Sequence, residues 1–421
     1  MNVVCLSLSG LFVLAALVVQ AQGVEFHTEN VKEVIANAPK EGKPVLIYFK
    51  AAGYDTCEKI DREVFADKRA GDCFNDKVVC CTVDVKADPS LTPLYEVRVV
   101  PTVVMLDDKG KMVYRMDGQV SPAYLVHLGN ALTGRVPSLK MLYEDLQRDK
   151  SNLETIRRLL LNALNFLGYL PVDSRTVWEK RLMKVYDNYR KVKSLDEMVN
   201  KEDYTLLTAY ERPQKDSEAF DFIVKHYDRF KAVVDENGLI SYLVNTNNGL
   251  IMNLARAGDG GYTKCLERIN GDMAGVYKFL KGPGDPYRLM RLEASALYAL
   301  YGKKDQNAYV SLENEYFTAL GETLDANTLL RGIQELYVAS KGKMTPEAAA
   351  ICYAWVDVAE QAGVPANTRL QLTLVRADCC ESNGDKVKAK FFLNEAYLQA
   401  MQVGDQQMQQ YVQKKIEGLE R

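Results

Sequence analysis

One cysteine at the start of a predicted helix is the residue of this chain best placed to do chemistry. Cys57 follows the turn formed by residues 52–56 and lies in the first turn of a helix predicted to begin near Thr56. Unpaired backbone N–H groups at a helix start stabilise a thiolate, whereas the carboxylates of Asp55 and Glu58 raise the pKa of a neighbouring thiol. Three states therefore remain open for Cys57: a reactive thiol, an inert buried thiol, or one half of a structural disulfide.

The other cysteines do not settle which state holds. The chain has nine cysteines, and the eight that follow Cys5 allow pairing without fixing which residues pair. Most of them lie in apolar patterns, which are typical of small buried side chains. Cys73, on a short segment after the helix of Cys57, is the candidate disulfide partner of Cys57.

An apolar N-terminal run indicates export. The run from Leu6 to Val19, followed by the small residue Ala21, predicts a signal peptide over residues 1–21. An uncleaved anchor is the alternative, although the run is short for a bilayer span, and no later stretch is long enough to cross a membrane. We therefore expect a periplasmic or secreted protein with no stable membrane span after signal removal, in a compartment where disulfides persist.

Composition excludes several classes of function. The chain of 421 residues is 47% apolar and 26% charged, which is typical of a globular protein of two or three domains. Its net charge of −3 and the lack of a basic run argue against nucleic acid as a partner. The three histidines are widely separated and lack metal-ligand spacing, so we expect neither a metal nor another cofactor.

Residues 24–132 alternate between predicted strands and predicted helices. The apolar run 44–49 is typical of a buried central strand, and residues 107–110 predict a hairpin turn. Ser121 and Pro122 are a typical helix start, with serine as the cap and proline at the first helical position. We therefore predict an α/β domain over residues 22–135, with strands near 44–49, 78–85, 102–106 and 112–116.

The order of these elements resembles the thioredoxin family. Phe49-Lys50-Ala51 leads into a helix, and Val100-Pro101-Thr102 starts a strand; the segment 95–104 is the most specific part of the match. The resemblance covers a quarter of the chain. The whole chain is similar to exported bacterial thioredoxin-like proteins in which a redox domain is fused to a long helical region.

The resemblance implies a substrate-binding edge that lacks the family's attacking cysteine. It places Tyr54 where the family has its attacking cysteine, and Cys57 where the resolving cysteine lies. It also implies a cis peptide bond between Val100 and Pro101, with Val100, Pro101 and Thr102 binding an extended substrate backbone. Because a tyrosine hydroxyl cannot replace a thiolate in thiol–disulfide exchange, we expect no full dithiol cycle.

The chain from residue 136 to residue 421 is predicted to be all-helical, after a break at residues 133–137. Gly258, Gly302, Gly342 and Gly384 each follow an apolar helix, at intervals of 44, 40 and 42 residues. A glycine past a helix end supplies the left-handed residue that terminates it, and helix pairs at a fixed period predict an α-solenoid. An irregular bundle is the alternative. The last pair resembles a tetratricopeptide repeat at Ala377, Gly384, Ala389, Leu393 and Ala396.

Three functions agree with these residues. The first is an exported thioredoxin-fold protein that binds polypeptide or thiol-containing clients, with at most limited exchange through Cys57. The second is a thiol-disulfide oxidoreductase or isomerase of monothiol mechanism, in which external thiols or Cys73 resolve mixed disulfides. The third is a helical-repeat scaffold in a cell-envelope assembly, with the first domain as its docking head.

Overall fold

The computed structural model describes residues 23–280, 282, 284–361 and 363–419. The predicted signal peptide, residues 1–21, lies outside these residues. The chain forms two compact units, which divide between Ser194 and Leu195. The first unit contains a sheet with its helices and the second unit is built of helices, so the predicted fold class is confirmed.

The sheet of the first unit contains the strands β1 (Val45–Lys50), β2 (Val79–Asp84), β3 (Thr102–Leu106) and β4 (Met112–Asp117). They lie in the order β2-β1-β3-β4, so that β4 is an edge strand. β1 pairs in parallel with β2 and antiparallel with β3, and β3 pairs antiparallel with β4. The first five residues of β1 are buried, which explains why the predicted strand reads as a continuous apolar run.

The helices next to the sheet are α1 (Val31–Asn37), α2 (Asp55–Ile60), α3 (Lys68–Phe74) and α4 (Pro122–Leu132). α2 continues directly into a π-helical segment, Asp61–Phe65. One apolar cluster contains Ile35 of α1, Phe49 of β1 and Cys81 of β2. Cys80 does not belong to that cluster, in agreement with the alternation of side chains along a strand.

Two local predictions have different outcomes. The hairpin turn is confirmed, because the Asp107 carboxylate accepts the backbone N–H groups of Lys109 and Lys111, at 3.0 and 2.9 Å, and Gly110 has a φ of 76°. The predicted start of α4 is confirmed in position, because Ser121 is the cap residue and Pro122 occupies the first turn, but the side chain of Ser121 makes no capping hydrogen bond.

Three further helices belong to the first unit: α5 (Leu139–Arg148), α6 (Leu153–Ala163) and α7 (Val172–Val192). Phe166, just after α6, is fully buried. Its ring stacks on Tyr114 of β4 at 6.0 Å and lies 4.9 Å from the ring of His127 in α4. The helices that follow the predicted boundary at residues 133–137 therefore pack against the sheet through buried aromatic side chains.

The second unit is a series of helices, in which α18, α19 and α20 share a core that includes Leu374, Leu393 and Val412. Ala377 and Ala396 belong to the same core, while the tetratricopeptide-like repeat stays a prediction. Within the described residues, no helix has both the length and the apolar character of a membrane span. The helices are α8 (Lys201–Tyr210), α9 (Glu218–Lys225), α10 (Tyr227–Lys231), α11 (Glu236–Arg256), α12 (Tyr262–Glu267), α13 (Ala274–Tyr277), α14 (Pro286–Leu297), α15 (Gln306–Leu320), α16 (Ala326–Ser340), α17 (Pro346–Gln361), α18 (Ala366–Ser382), α19 (Lys386–Gln402) and α20 (Gln406–Leu419).

The four periodic glycines do not all act as helix terminators. Gly258, Gly342 and Gly384 have positive φ angles of 71°, 75° and 79°, as predicted for left-handed residues after a helix. Gly302 does not. A Cβ atom on Gly258 would lie 2.9 Å from the Cα of Gly302, so this pair allows two segments to approach closely. The left-handed residue nearby is Lys304, with a φ of 58°.

Candidate functional site

Cys57 lies in the first turn of α2, at the carboxyl end of β1. Tyr54 has extended backbone angles and precedes the helix, and its carbonyl oxygen accepts the N–H groups of Cys57 and Glu58 at 2.9 and 3.1 Å. The side chain of Cys57 is only 2% exposed. Of the three predicted states, the structure therefore shows a buried free thiol.

The polar group next to this thiol is a buried phenol. The hydroxyl of Tyr48 donates a hydrogen bond to the carbonyl oxygen of Cys57, at 3.2 Å. Burial raises the pKa of Tyr48, and the negative charges of Asp61 and of an ionised Cys57 raise it further. Nζ of Lys50 lies 2.9 Å from Oδ2 of Asp61. Tyr48 therefore stays protonated and acts as a structural donor rather than as a base.

Tyr54, which precedes α2, presents its aromatic side chain to solvent. Its side chain is 47% exposed. Nζ of Lys86 lies 4.7 Å from the centre of its ring and donates a hydrogen bond to the carbonyl oxygen of Ala52, at 2.9 Å. Lys86 thus holds the turn and leaves an aromatic face with a cation beside it, at the position that the resemblance assigns to an attacking thiol.

A fixed loop leads into β3. The Val100–Pro101 bond is cis, as the resemblance implied, and Val99 is 52% exposed. The hydroxyl of Thr102 lies 2.8 Å from both the carbonyl oxygen of Val99 and Oδ1 of Asp117. Burial raises the pKa of Asp117, but hydrogen bonds from Arg115 and Thr102 outweigh this and hold the pKa below its ordinary value.

Arg115 holds the segment that precedes this loop. Its Nη1 donates to the carbonyl oxygen of Tyr95 at 2.6 Å, and its Nη2 donates to that of Glu96 at 3.1 Å. Glu96 has a left-handed φ of 51°, which is uncommon for a residue with a side chain. The loop is therefore held by the guanidinium of an adjacent strand, which leaves Val99 at the surface.

The sheet register brings the turn of Cys57 and the proline loop to one edge. Phe49, near the end of β1, pairs with Thr102 at the start of the antiparallel strand β3. Lys86 follows β2, whose carboxyl end lies at the same edge because β1 and β2 are parallel. The predicted site residues Tyr54, Cys57, Val100, Pro101 and Thr102 therefore gather at this edge, which we call the proline edge.

Cys73 makes its contacts elsewhere. Its thiol lies 3.5 Å from Oδ1 of Asn130 and 3.7 Å from the carbonyl oxygen of Val126, both in α4. Cys57 and Cys73 are both free thiols in this structure. Burial raises the pKa of Cys73, and burial likewise raises that of Cys81 to about 11. Such thiols are poor nucleophiles, because a small fraction is ionised at neutral pH.

Two residues of the proline edge, Lys86 and Arg115, were not found from the sequence. Lys86 had a signal, since it directly follows the strand predicted near residues 78–85. Arg115 had none, because its role depends on the register between β3 and β4. In the part of the chain that the structure describes, no group of three or more histidine, cysteine or acidic residues is placed to hold a metal.

A mixed sheet with a helix starting after its central strand, and a cis proline at the same edge, defines the thioredoxin fold class. Residues 31–133 match the model of a family described as a thioredoxin-like domain, and this part of the chain is a domain of that kind. Among solved structures, a chain described as a DsbH oxidoreductase matches at 18% identity, over 30% of this chain and 94% of that chain, with a TM-score of 0.25. No curated protein matches the sequence.

Proposed function

We propose that the thioredoxin-like domain binds extended polypeptide clients, including thiol-bearing ones, at the proline edge, with at most limited thiol–disulfide exchange. One observation carries this proposal. Tyr54, where the resemblance places the attacking cysteine, is exposed, whereas the cysteine of that turn, Cys57, is 2% exposed. Thiol–disulfide exchange begins with attack by an accessible thiolate, and binding does not need one.

The surface of the proline edge suits an extended peptide. Val99 and Tyr54 offer about half of their side-chain surface to solvent, and Lys86 adds a cation beside the aromatic ring. The segment before Pro101 has its backbone conformation fixed by Arg115 and Thr102. A preformed loop loses little conformational entropy on binding, which favours recognition of a client backbone.

The chemistry left to Cys57 is half of an exchange reaction. Its thiolate would attack one sulfur of a client disulfide, form a mixed disulfide with that sulfur, and release the other client sulfur as a thiolate. Completing a cycle then needs a second thiol to attack the mixed disulfide. Cys73, the candidate for that role, has its thiol against α4, so an external thiol is the resolving reagent of this proposal.

Export and the role of the second unit are further parts of this proposal. Export rests on the apolar run from Leu6 to Val19 with Ala21 after it, and it predicts a mature chain that begins at Gln22. N-terminal sequencing of protein from its own cells tests this. The second unit is proposed to be the helical-repeat scaffold, with additional contacts to the client or to an envelope assembly.

A disulfide-reduction assay tests the limit on chemistry. The full chain, a Cys57→Ser variant and a Tyr54→Cys variant are compared for acceleration of dithiol-driven reduction of a disulfide-bonded protein. We expect the full chain and Cys57→Ser to match the rate without protein. Tyr54→Cys should exceed that rate at least about tenfold, because it restores an exposed thiol three residues before Cys57. A wild-type rate that Cys57→Ser abolishes would instead establish the monothiol enzyme.

A binding assay tests the client site. Fluorescence anisotropy of a labelled, reduced, unfolded polypeptide reports its affinity for the full chain. Val99→Glu is expected to weaken that affinity about tenfold, because it places a charge on the exposed apolar surface of the proline edge. The matched control is Val192→Glu, the same change at an exposed valine at the end of α7. Equal affinities of the two variants would reject the proline edge as the client site.

A further inference from the structure

A groove lined by basic and aromatic side chains lies in the first unit, beside the edge strand β4. Its main cavity has a volume of about 650 Å³ and is lined by the β3–β4 turn, the end of α4, and helices α5 and α7. A second cavity of about 340 Å³ shares Tyr143 and Arg181 with the main one. We call the two cavities together the basic groove.

The main cavity carries a net positive charge. Four of its lining side chains are cationic, Lys109, Lys111, Lys140 and Arg181, and two are acidic, Asp107 and Glu144. The carboxylate of Asp107 accepts backbone N–H groups of the hairpin turn, and that of Glu144 lies 3.7 Å from Nζ of Lys140. Three cations of the cavity form no ion pair with any residue that the structure describes: Lys109, Lys111 and Arg181.

Positive charge continues into the smaller cavity, which adds Lys150 and Lys184 and has no acidic lining residue. A long groove with an excess of cations attracts a ligand that carries several negative charges along its length.

The wall of the main cavity is aromatic. Tyr143 of α5 and Trp178 of α7 form an edge-to-face pair with ring centres 5.5 Å apart. The guanidinium of Arg181 lies 5.6 Å from the centre of the Tyr143 ring and 5.2 Å from that of Trp178. All three side chains are at least partly accessible to solvent. Tyrosine, tryptophan and arginine are the side chains that contribute most to binding at protein interfaces.

We propose that the basic groove binds an acidic, extended polypeptide segment. Its carboxylates would meet Lys111 and Arg181, and an apolar side chain between them would pack against Trp178. A polypeptide fits better than a compact small molecule, because the charges are spread over two adjoining cavities rather than gathered in one. The groove begins at the β3–β4 turn, at the end of the sheet opposite the proline edge, so this site is separate from the proposed client site.

The two tryptophans of the chain make the site easy to observe. Trp178 lies in the basic groove, and Trp355 lies in the second unit. In a Trp355→Phe background, the fluorescence of the full chain therefore reports on the groove alone. The probe is a peptide of about ten residues in which glutamate alternates with leucine. Its matched control replaces each glutamate with glutamine, and free glutarate tests a small dicarboxylate.

Charge reversals locate the binding. Arg181→Glu and Lys111→Glu are each expected to weaken binding of the acidic peptide at least about tenfold, because each replaces an attraction with a repulsion. Lys180→Glu is the matched control. It is the neighbouring residue of α7, is exposed, does not line the groove, and makes the same change in net charge. Circular dichroism checks that each variant is folded. If Arg181→Glu does not fold, Lys111→Glu alone provides the test.

The proposal expects binding of the acidic peptide, at least about tenfold weaker binding of the glutamine peptide, and loss of affinity as salt rises. Equal affinity for the two peptides would overturn it. So would an equal effect of Lys180→Glu and Arg181→Glu. Glutarate binding as tightly as the peptide would assign the groove to a small molecule instead. Val99→Glu should leave this binding unchanged, which separates a failure here from a failure of the proposed client site.

Discussion

The two compact units differ in where they place polar and charged side chains. Thr102, at the proline edge, is the buried polar residue of the first unit among the residues that the structure describes. The second unit buries more of them: Asp203, Asn247, Glu293, Glu313, Thr373 and Asp378. The first unit keeps its unbalanced charges at the surface, in the basic groove. The second unit uses charges to join helices.

This difference follows from how the backbone N–H and C=O groups find hydrogen-bond partners in the two kinds of core. In the first unit, ladders between strands pair the backbone groups, so the interior needs only apolar side chains. In the second unit, each helix satisfies its own backbone, and contacts between helices are made by side chains alone. There the hydroxyl of Tyr337 donates to Oδ2 of Asp378 at 2.7 Å, and Lys415 pairs with the other oxygen. The proposed binding site and the buried ion pairs thus use charge in different units.

The largest predicted effect concerns pH and the second unit. Burial, and then the neighbouring charge of Glu293, raise the pKa of Glu313 from 4.5 to about 8, while Arg331 opposes this. The folded protein therefore keeps a proton that the unfolded chain loses above pH 4.5. The stabilising contribution is complete below that pH and is lost as the pH rises through about 8. The loss amounts to about 5 kcal/mol at most.

Glu313→Gln tests this dependence, because glutamine has no proton to lose. In a Trp178→Phe background, Trp355 fluorescence reports unfolding of the second unit, since its Nε1 donates to Asn314 of α15 at 3.3 Å. We expect the free energy of unfolding of wild type to fall relative to the variant between about pH 5 and about pH 9. The control Glu315→Gln, at an exposed position of the same helix, should follow wild type. Parallel curves for wild type and Glu313→Gln would contradict the prediction.

A smaller effect is expected from breaking one ion pair of the second unit. Lys415→Met leaves the carboxylate of Asp378, which is 2% exposed, without its cation. An unpaired buried charge of this kind costs about 3 kcal/mol of unfolding free energy. Lys414→Met, at an exposed lysine of the same helix, is the control. Urea unfolding followed at Trp355 should separate the two variants.

The partner substitution makes this test of charge pairing stricter. Asp378→Asn combined with Lys415→Met removes the unpaired charge and should recover part of the lost stability. A double variant less stable than Lys415→Met would show that packing of the lysine stem, rather than the charge, accounts for the loss.

Much of the fold could be predicted from local sequence, in both units. The strand 102–106 has the predicted limits, and β1 and β2 lie within one residue of the predicted ones. Gly342 and Gly384 end their helices with left-handed angles, as glycines at those places should. Gly302 departs from the pattern, because its place is set by contact with Gly258, 44 residues earlier in the chain.

The site was predicted less completely than the fold. The resemblance placed Tyr54 and Pro101, but it left the state of Cys57 open. The exposure of a first-turn side chain depends on what packs over it, and the hydroxyl of Tyr48 beside Cys57 comes from the preceding strand. The basic groove had no sequence signal at all. Lys111 lies on a turn and Arg181 on α7, about seventy residues apart, and the two meet only through tertiary packing.

The smallest predicted effect tests whether the first unit does depend on apolar packing. A Cβ atom on Gly129 of α4 would lie 2.5 Å from Cζ of Phe74 and 2.7 Å from Sγ of Cys73, both buried in α3. Gly129→Ala should therefore lower the free energy of unfolding by about 2 kcal/mol, through overpacking and at any pH. The readout is Trp178 fluorescence during urea unfolding of the full chain, in the Trp355→Phe background.

Gly168→Ala is the matched control for Gly129→Ala, because nothing lies within 4 Å of the added Cβ and the residue does not have a positive φ. It should leave the stability of the first unit unchanged or slightly raised. A pH-dependent loss for Gly129→Ala would mean that a titrating group, and not methyl–ring overlap, governs this interface. The thiol of Cys73 is the nearest such group, so a Cys73→Ala background would then decide between the two causes.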